Sequence, residues 1–266
     1  MLSTLALMAG LFAGPAQADG LSLADPQFTY GIFGPPRKSA RLLPGDNLIV
    51  SFDILGISTD ASGKARYSIA TELSDAKGKV WFRQVPREQS VVLSLGGGRL
   101  PAFAQVDVGL DQPAGDYKLK VTVKDLAADK SASLTRDFTV LPRGFGVVRF
   151  SGSRDPDNQL PTFRPVAGQT IWMHLSVVGF ERAKTGGQPD VTFEVQILDD
   201  KGKATTAKPL SVTVNKDVPE KAAALPLQFP VVLNRPGQFT IKLKVSDKVS
   251  GKSIDAAAPF VVLSHR

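Results

Sequence analysis

The chain has 266 residues, 42% of them hydrophobic, and 32 lysines and arginines against 25 aspartates and glutamates give a formal net charge of +7. It contains no cysteine, which excludes thiol catalysis, disulfides and cysteine-ligated metal centres. A chain of this length has room for two domains of ordinary size, each able to bury its own hydrophobic core.

The first 18 residues have the pattern of an export signal. An apolar run over 5–13 precedes the small-residue site Ala16-Gln17-Ala18, although no lysine or arginine stands before the run. No other apolar stretch approaches the ~18 residues needed to span a bilayer. We therefore predict a signal peptide over 1–18, an N-terminal segment over 19–26, and a periplasmic, extracellular or surface-held product. The lack of cysteine in an exported chain favours a bacterial envelope protein.

The rest of the chain contains an internal sequence repeat. Four segments of the first half return in altered form and in the same order in the second: 41–57 at 164–180, 75–79 at 199–203, 113–125 at 235–247, and 138–141 at 260–263. This predicts one duplicated domain, with repeat 1 over 27–142 and repeat 2 over 143–266. The few residues that separate the repeats should restrict hinge motion between them.

Within each repeat, apolar residues recur at every second position. Tyr117, Leu119, Val121 and Val123 alternate with lysines and a threonine, and the segment 239–246 repeats this alternation. Such a period of two is typical of a strand with one buried face. Pro-Gly and other glycine turn motifs separate the runs. The sequence therefore predicts an all-β chain, with each repeat an antiparallel β-sandwich of about seven short strands.

The order of these features resembles tandem immunoglobulin-like or fibronectin-type modules of bacterial exported proteins. Each repeat has a glycine turn before a long strand, a Gly-x-Tyr or Gly-x-Phe that enters an alternating strand, an aspartate turn, and a last strand that ends in Phe-x-Val. The resemblance covers about residues 27–266. It implies two tandem homologous immunoglobulin-like sandwiches and a corner tyrosine at Tyr117, where repeat 2 has Phe239. Binding, spacing or scaffolding is the function that it implies.

Five lysines form one candidate site. Lys118, Lys120 and Lys124 would share the outer face of one strand, and Lys242 and Lys244 that of the matching strand in repeat 2. Two basic stripes in tandem could hold a long anionic polymer by avidity. The simpler interpretation is a solvated face that discourages edge-to-edge pairing of sheets. Nucleic acid is disfavoured, because export removes it and no aromatic set is interleaved among the lysines.

The two tryptophans are candidate platforms for sugar stacking. Trp81 follows a Lys-Gly-Lys turn, and Trp172 lies in a predicted strand. For Trp172 we favour packing between the sheets. For Trp81 stacking and core packing stay equally open.

The sequence offers few other residues that could form a catalytic or ligand-binding site. His174 lies in a predicted strand and His265 near the end of the chain, and neither belongs to a nucleophile or metal motif. The segment Asp155-Pro-Asp-Asn158 has oxygen ligands suited to calcium, but acids beside proline are also ordinary turn formers. The glycines of 96–98 could cradle an anion, but they lead to a strand rather than a helix. We expect no enzyme, metal or cofactor.

The sequence thus predicts a non-catalytic interaction or spacer protein of the bacterial cell envelope. The alternative is a carbohydrate- or polyanion-binding accessory protein that uses the basic strand faces. The expected partner is accordingly an envelope protein or an anionic polysaccharide.

Overall fold

The structure is a computed structural model that describes residues 20–162 and 164–265. Within these ranges it contains fifteen strands and no helix, so the all-β prediction is confirmed. The first half contains β1 (Ser22–Phe28), β2 (Arg41–Leu42), β3 (Asn47–Leu55), β4 (Lys64–Asp75), β5 (Val80–Val92), β6 (Arg99–Asp107), β7 (Gly115–Asp125) and β8 (Lys130–Val140). The second half contains β9 (Gly146–Ser153), β10 (Thr170–Val178), β11 (Val191–Leu198), β12 (Leu210–Val214), β13 (Ala224–Val232), β14 (Gly237–Asp247) and β15 (Lys252–Val262). The predicted signal peptide lies outside the described residues.

The first half is a sandwich of two sheets. One sheet has the order β1-β3-β6 and the other β2-β8-β7-β4-β5, and all pairings are antiparallel except that of β2 with β8. Leu48 and Val50 on β3 belong to the same buried cluster as Leu119 and Val121 on β7. The predicted alternation along 117–123 is confirmed, because its apolar members are buried and its lysines are exposed.

The second half repeats this order. One sheet is β9-β10-β13 and the other β12-β11-β14-β15, which match β1-β3-β6 and β5-β4-β7-β8 in turn. Its core is a separate cluster in which Met173, Phe193 and Ile241 are almost fully buried. A single parallel bridge between Val166 and Leu263 stands where β2 pairs with β8 in the first half. The duplication itself stays an inference from the sequence.

Strand β1 extends the first sandwich beyond the predicted boundary. It begins at Ser22, five residues before position 27, and pairs with β3 from Ser22 opposite Leu55 to Phe28 opposite Val50. The ladder breaks between Ala24 and Gln27, and a proline inside this gap has no N–H to donate. Residues 22–26 are therefore part of the first sheet.

A buried aspartate closes the same corner of each sandwich. Asp125 accepts hydrogen bonds from the backbone N–H of Ser58 at 2.8 Å and of Ala127 at 2.9 Å. Asp247 accepts from the backbone N–H of Glu181 at 2.9 Å and from the hydroxyl of Ser250 at 2.6 Å. Each carboxylate thus joins a hairpin turn to a loop about 66 residues away in sequence.

Tyr117 forms the hydrogen bond that the family resemblance implies. Its hydroxyl donates to the carbonyl of Pro113 at 2.8 Å, and its ring stacks on Phe138 with the centroids 5.6 Å apart. In the second sandwich Phe239 stacks on Phe260 in the same way, at 5.4 Å. The stacked pair therefore persists where the hydroxyl is missing.

The two sandwiches meet at a buried ionic junction. The carboxylate of Asp46, which is 2% exposed, accepts from the guanidinium of Arg37 at 2.7 Å and from the backbone N–H of Arg149 at 2.8 Å. The Arg149 side chain returns to the first half, where its Nε donates to the carbonyl of Gly45 at 2.9 Å. Tyr30 reaches in the opposite direction and packs edge-on against Phe150, at 5.9 Å between centroids. This junction fixes the short connection between the halves.

Candidate functional site

The three lysines of β7 lie on one exposed face, as predicted, but carboxylates stand beside them. Lys124 is 2.6 Å from Asp129, and Lys118 is 4.0 Å from Asp137 on the neighbouring strand β8. Lys120 stands opposite Glu72 of β4 in the sheet register. The hydrogen bond from Lys124 lowers the pKa of Asp129 below its usual value. This face is a mixed array of charges.

The two lysines of β14 differ from each other. Lys244 stands between Glu194 of β11 and Asp255 of β15. Lys242 stands between Gln196 and Ala257, so no acid is directly opposite it on either side. The structure thus brings Lys242 and Lys244 to one strand face, as predicted, and partly compensates their charge.

The side chain of Trp81, at the edge of the first sandwich, is held by three contacts. Its Nε1 donates to Asp75 at 3.0 Å, and its ring packs edge-on against Tyr117 with the centroids 6.4 Å apart. The ammonium of Lys79 lies 4.1 Å from the ring centroid. The side chain is 38% exposed. Lys79 thus lies over one face of the ring, and the role of Trp81 in sugar stacking stays a prediction.

Strand β5 carries several exposed apolar side chains, of which the sequence pointed only to Trp81. It is thirteen residues long and forms an outer edge of the five-stranded sheet. Five of its apolar side chains are at least 38% exposed, namely those of Val80, Trp81, Phe82, Val85 and Val92, with Val85 the most exposed at 76%. The segment shows no alternation because almost all of its positions face solvent. An edge strand with exposed apolar side chains is a ready surface for pairing with another chain.

His174 belongs to a structural network in the second sandwich. Its Nε2 lies 2.8 Å from the hydroxyl of Ser153, which itself donates to the carbonyl of Asp155. Because the Ser153 hydroxyl donates its hydrogen to that carbonyl, it can only accept from His174, whose Nε2 is the donor. Ser153 is fully buried, and burial lowers the pKa of His174, although Asp155 acts in the opposite direction. The pair has no exposed nucleophile.

Trp172 departs from our expectation. It is adjacent in β10 to the buried Ile171 and Met173, so its side chain points to the opposite face of the strand, the side on which His174 lies. It is only partly buried there. The prediction that Trp172 packs between the two sheets is therefore wrong, because the register of β10 gives the inward positions to its neighbours.

Two loops that suggested ligands have local structural roles. The carboxylate of Asp155 accepts from the backbone N–H groups of residues 157, 159 and 160, which is how a turn-forming aspartate behaves. In the glycine loop, the N–H of Gly96 donates to the carbonyl of Leu93 in the turn that follows β5. Across residues 20–162 and 164–265 no group of three or more histidine, aspartate or glutamate side chains is arranged to hold a metal ion.

No family model and no curated protein sequence matches this chain. Similar solved structures include the C-terminal domain of the Streptococcus pyogenes antigen I/II-family protein AspA, at 9% identity and TM-score 0.30, covering 92% of this chain and 99% of that one. The C-terminal domain of the Streptococcus agalactiae AgI/II polypeptide BspA gives 12% identity and TM-score 0.29, covering 93% and 100%. Dimeric latent PorU from Porphyromonas gingivalis gives 13% identity and TM-score 0.38, and the match covers 91% of this chain and 20% of that one. Likenesses at these values do not identify a family.

The described residues include no helix that is long and apolar enough to cross a membrane.

Proposed function

We propose that this chain is an exported, non-catalytic interaction module of the bacterial cell envelope, and that the β5 edge is its contact surface. The observation that carries the proposal is the group of exposed apolar side chains at Val80, Trp81, Phe82 and Val85 on a thirteen-residue edge strand. Aromatic and aliphatic side chains exposed together mark protein interfaces more often than scattered exposed residues do. The expected partner is another envelope protein that adds a strand to this edge.

The junction supports a spacer role beside this interaction. Arg149 of the second half joins the two sandwiches through partly buried hydrogen bonds to Asp46 and Gly45 of the first. A fixed junction would keep the β5 edge at a defined distance from the second sandwich. The absence of an exposed nucleophile at Ser153 and His174 supports a function without catalysis.

Substitution of Val85 by lysine tests the β5 surface. A lysine at this exposed edge position should block strand addition without touching the core. We expect Val85→Lys to lower retention of the partner from an envelope extract at least about tenfold, the equivalent of about 1.4 kcal/mol. Val232→Lys is the matched control, because Val232 is also a highly exposed valine, at 70%, on an edge strand of the second sandwich. Equal retention by the Val85→Lys variant and the wild type would contradict the proposal.

The alternative function, polyanion binding by the lysine faces, is favoured by the net charge of +7 and by Lys242, which has no acid opposite it. Replacing Lys118, Lys120, Lys242 and Lys244 together by alanine separates the two proposals. Because carboxylates flank most of these lysines, we expect the variant to change retention on an anionic polysaccharide matrix little at about 0.15 M salt. A loss of retention with a reduced salt dependence would favour the polyanion function instead.

A further inference from the structure

An open cavity of about 650 Å³ lies at the edge of the second sandwich, between β13 of one sheet and β11, β14 and β15 of the other. Its inner wall is apolar and its rim is polar. Seven of its wall residues are at most 9% exposed: Val195, Phe229, Val231, Leu233, Phe239, Phe260 and Val262. The exposed segments 203–206 and 234–235 form its rim. The volume is within the ~300–1,000 Å³ that is usual for small-molecule sites.

The first sandwich has a tryptophan where the second has this opening. The turns at Asp75 and Asp199 match, because each carboxylate accepts from the backbone N–H groups two and four residues further on. Aligned from these turns, Trp81 corresponds to Thr205. The hydroxyl of Thr205 donates to the carbonyl of Ile197 at 3.1 Å, and this small side chain leaves the rim open.

The ring contacts of the two copies support this comparison. In the first copy the indole of Trp81 packs against Tyr117, which is the counterpart of Phe239. In the second copy Phe239 lines the cavity instead. The strand after the turn differs as well, since β5 has thirteen residues and β12 only five. At the matching position the first sandwich thus has an indole packed against Tyr117, and the second has a threonine beside the cavity.

Two cations stand at the mouth of the cavity. Lys203 and Arg235 are exposed, and neither is within 4.0 Å of a carboxylate in the described part of the chain. The guanidinium of Arg235 lies 4.8 Å from the ring centroid of Phe239. The acid in the lining, Asp199, accepts from the N–H of Lys201 at 3.0 Å and of Lys203 at 2.8 Å. The mouth therefore has an excess of positive charge.

We propose that this cavity binds a free single-chain anionic amphiphile of the long-chain carboxylate type. The alkyl chain lies between the sheets, and the headgroup meets Lys203 and Arg235. An alkyl chain suits the interior better than a peptide does, because a peptide backbone would leave its N–H and C=O groups unpaired against valine and phenylalanine side chains. The charge at the mouth complements a carboxylate. This site is separate from the β5 edge, so either proposal can fail without the other.

Dodecanoate is the probe, titrated into the full chain below its micellar concentration and followed by calorimetry. The wild type should bind it, and Thr205→Trp, which copies the first sandwich, should lower the affinity at least about tenfold. Thr213→Trp is the matched control, because it places the same side chain on the exposed outer face of β12. A thermal melt shows whether each variant is folded.

Charge removal gives an independent measurement at exposed positions. Lys203→Ala combined with Arg235→Ala should lower the affinity for dodecanoate by about fivefold or more while leaving that for dodecanol unchanged. No binding of dodecanoate to the wild type would overturn the proposal, as would wild-type affinity in the folded Thr205→Trp variant. Binding of phosphatidylglycerol vesicles or of an apolar extended peptide, with no binding of free dodecanoate, would also overturn it.

Discussion

Replacing Asp46 with alanine should lower the free energy of unfolding by about 3–5 kcal/mol, because it leaves the buried guanidinium of Arg37 without its counter-charge. The side chains of Arg37 and Asp46 are only 12% and 3% exposed. The same substitution also leaves the backbone N–H of Arg149 without its acceptor. Denaturant unfolding of the variant and the wild type measures the difference.

An exposed ion pair of the same sandwich is the control. Arg66 contacts Glu88 at 3.4 Å, and the two side chains are 61% and 69% exposed. Arg66→Ala should therefore cost far less than Asp46→Ala. If Asp46→Ala cost no more than Arg66→Ala, the junction would not stabilise the fold as described. Trp81 and Trp172, one in each sandwich, allow the two transitions to be followed separately in single-tryptophan variants.

Loss of either corner aspartate should have the second-largest effect. Asp125→Ala and Asp247→Ala should each lower the free energy of unfolding by about 3 kcal/mol, because each leaves several backbone N–H groups without an acceptor at a buried site. Asp60→Ala is the control, since Asp60 accepts from the N–H groups of residues 62 and 64 in an exposed turn where water can replace it. Equal costs at Asp60 and Asp125 would contradict this account of the corners.

The same two carboxylates should make the fold sensitive to acid. Burial raises the pKa of Asp125, but hydrogen bonds from Ser58, Ala127 and Ala128 outweigh it, so the pKa lies below its usual value; Asp247 behaves likewise, with Ser250 and Glu181 as donors. A lowered pKa in the folded state gives stability above the unfolded value of about 3.9. That stability is lost as the pH falls from this value through the lower pKa of the folded state. Unfolding measured at several pH values should show a smaller loss below about pH 4 in the alanine variants than in the wild type.

The sequence predicts the strands that have one face in the core. Tyr117 to Val123 alternate in burial as expected, since one face of β7 packs against the facing sheet. The alternation of apolar and polar residues does not reveal strand β1, because its segment contains Asp25 and Pro26 and has a break in its ladder. It does not reveal strand β5 either, because nearly every residue of this edge strand is exposed.

Contacts between residues that are far apart in the sequence cannot be predicted from the local alternation of apolar and polar residues. Asp46 and Arg149 are 103 residues apart, and neither belongs to a motif. The outward direction of Trp172 depends on the register of β10, which the sequence does not reveal from one aromatic residue. The cavity could have been found from the repeat, because aligning Asp75 with Asp199 places Thr205 opposite Trp81. A large side chain replaced by a small one between two copies of a unit is a sign of an opened space.

The most direct test of the proposed interaction function is the salt dependence of partner capture by the wild-type chain. The purified chain is exposed to an envelope extract at low and then high salt. We expect an envelope protein to be retained at both salt concentrations. Contacts made by exposed apolar side chains such as Val85 are not weakened by ionic screening. Retention of anionic polymer at low salt alone, with release at high salt, would contradict the proposal and place the function in the lysine faces.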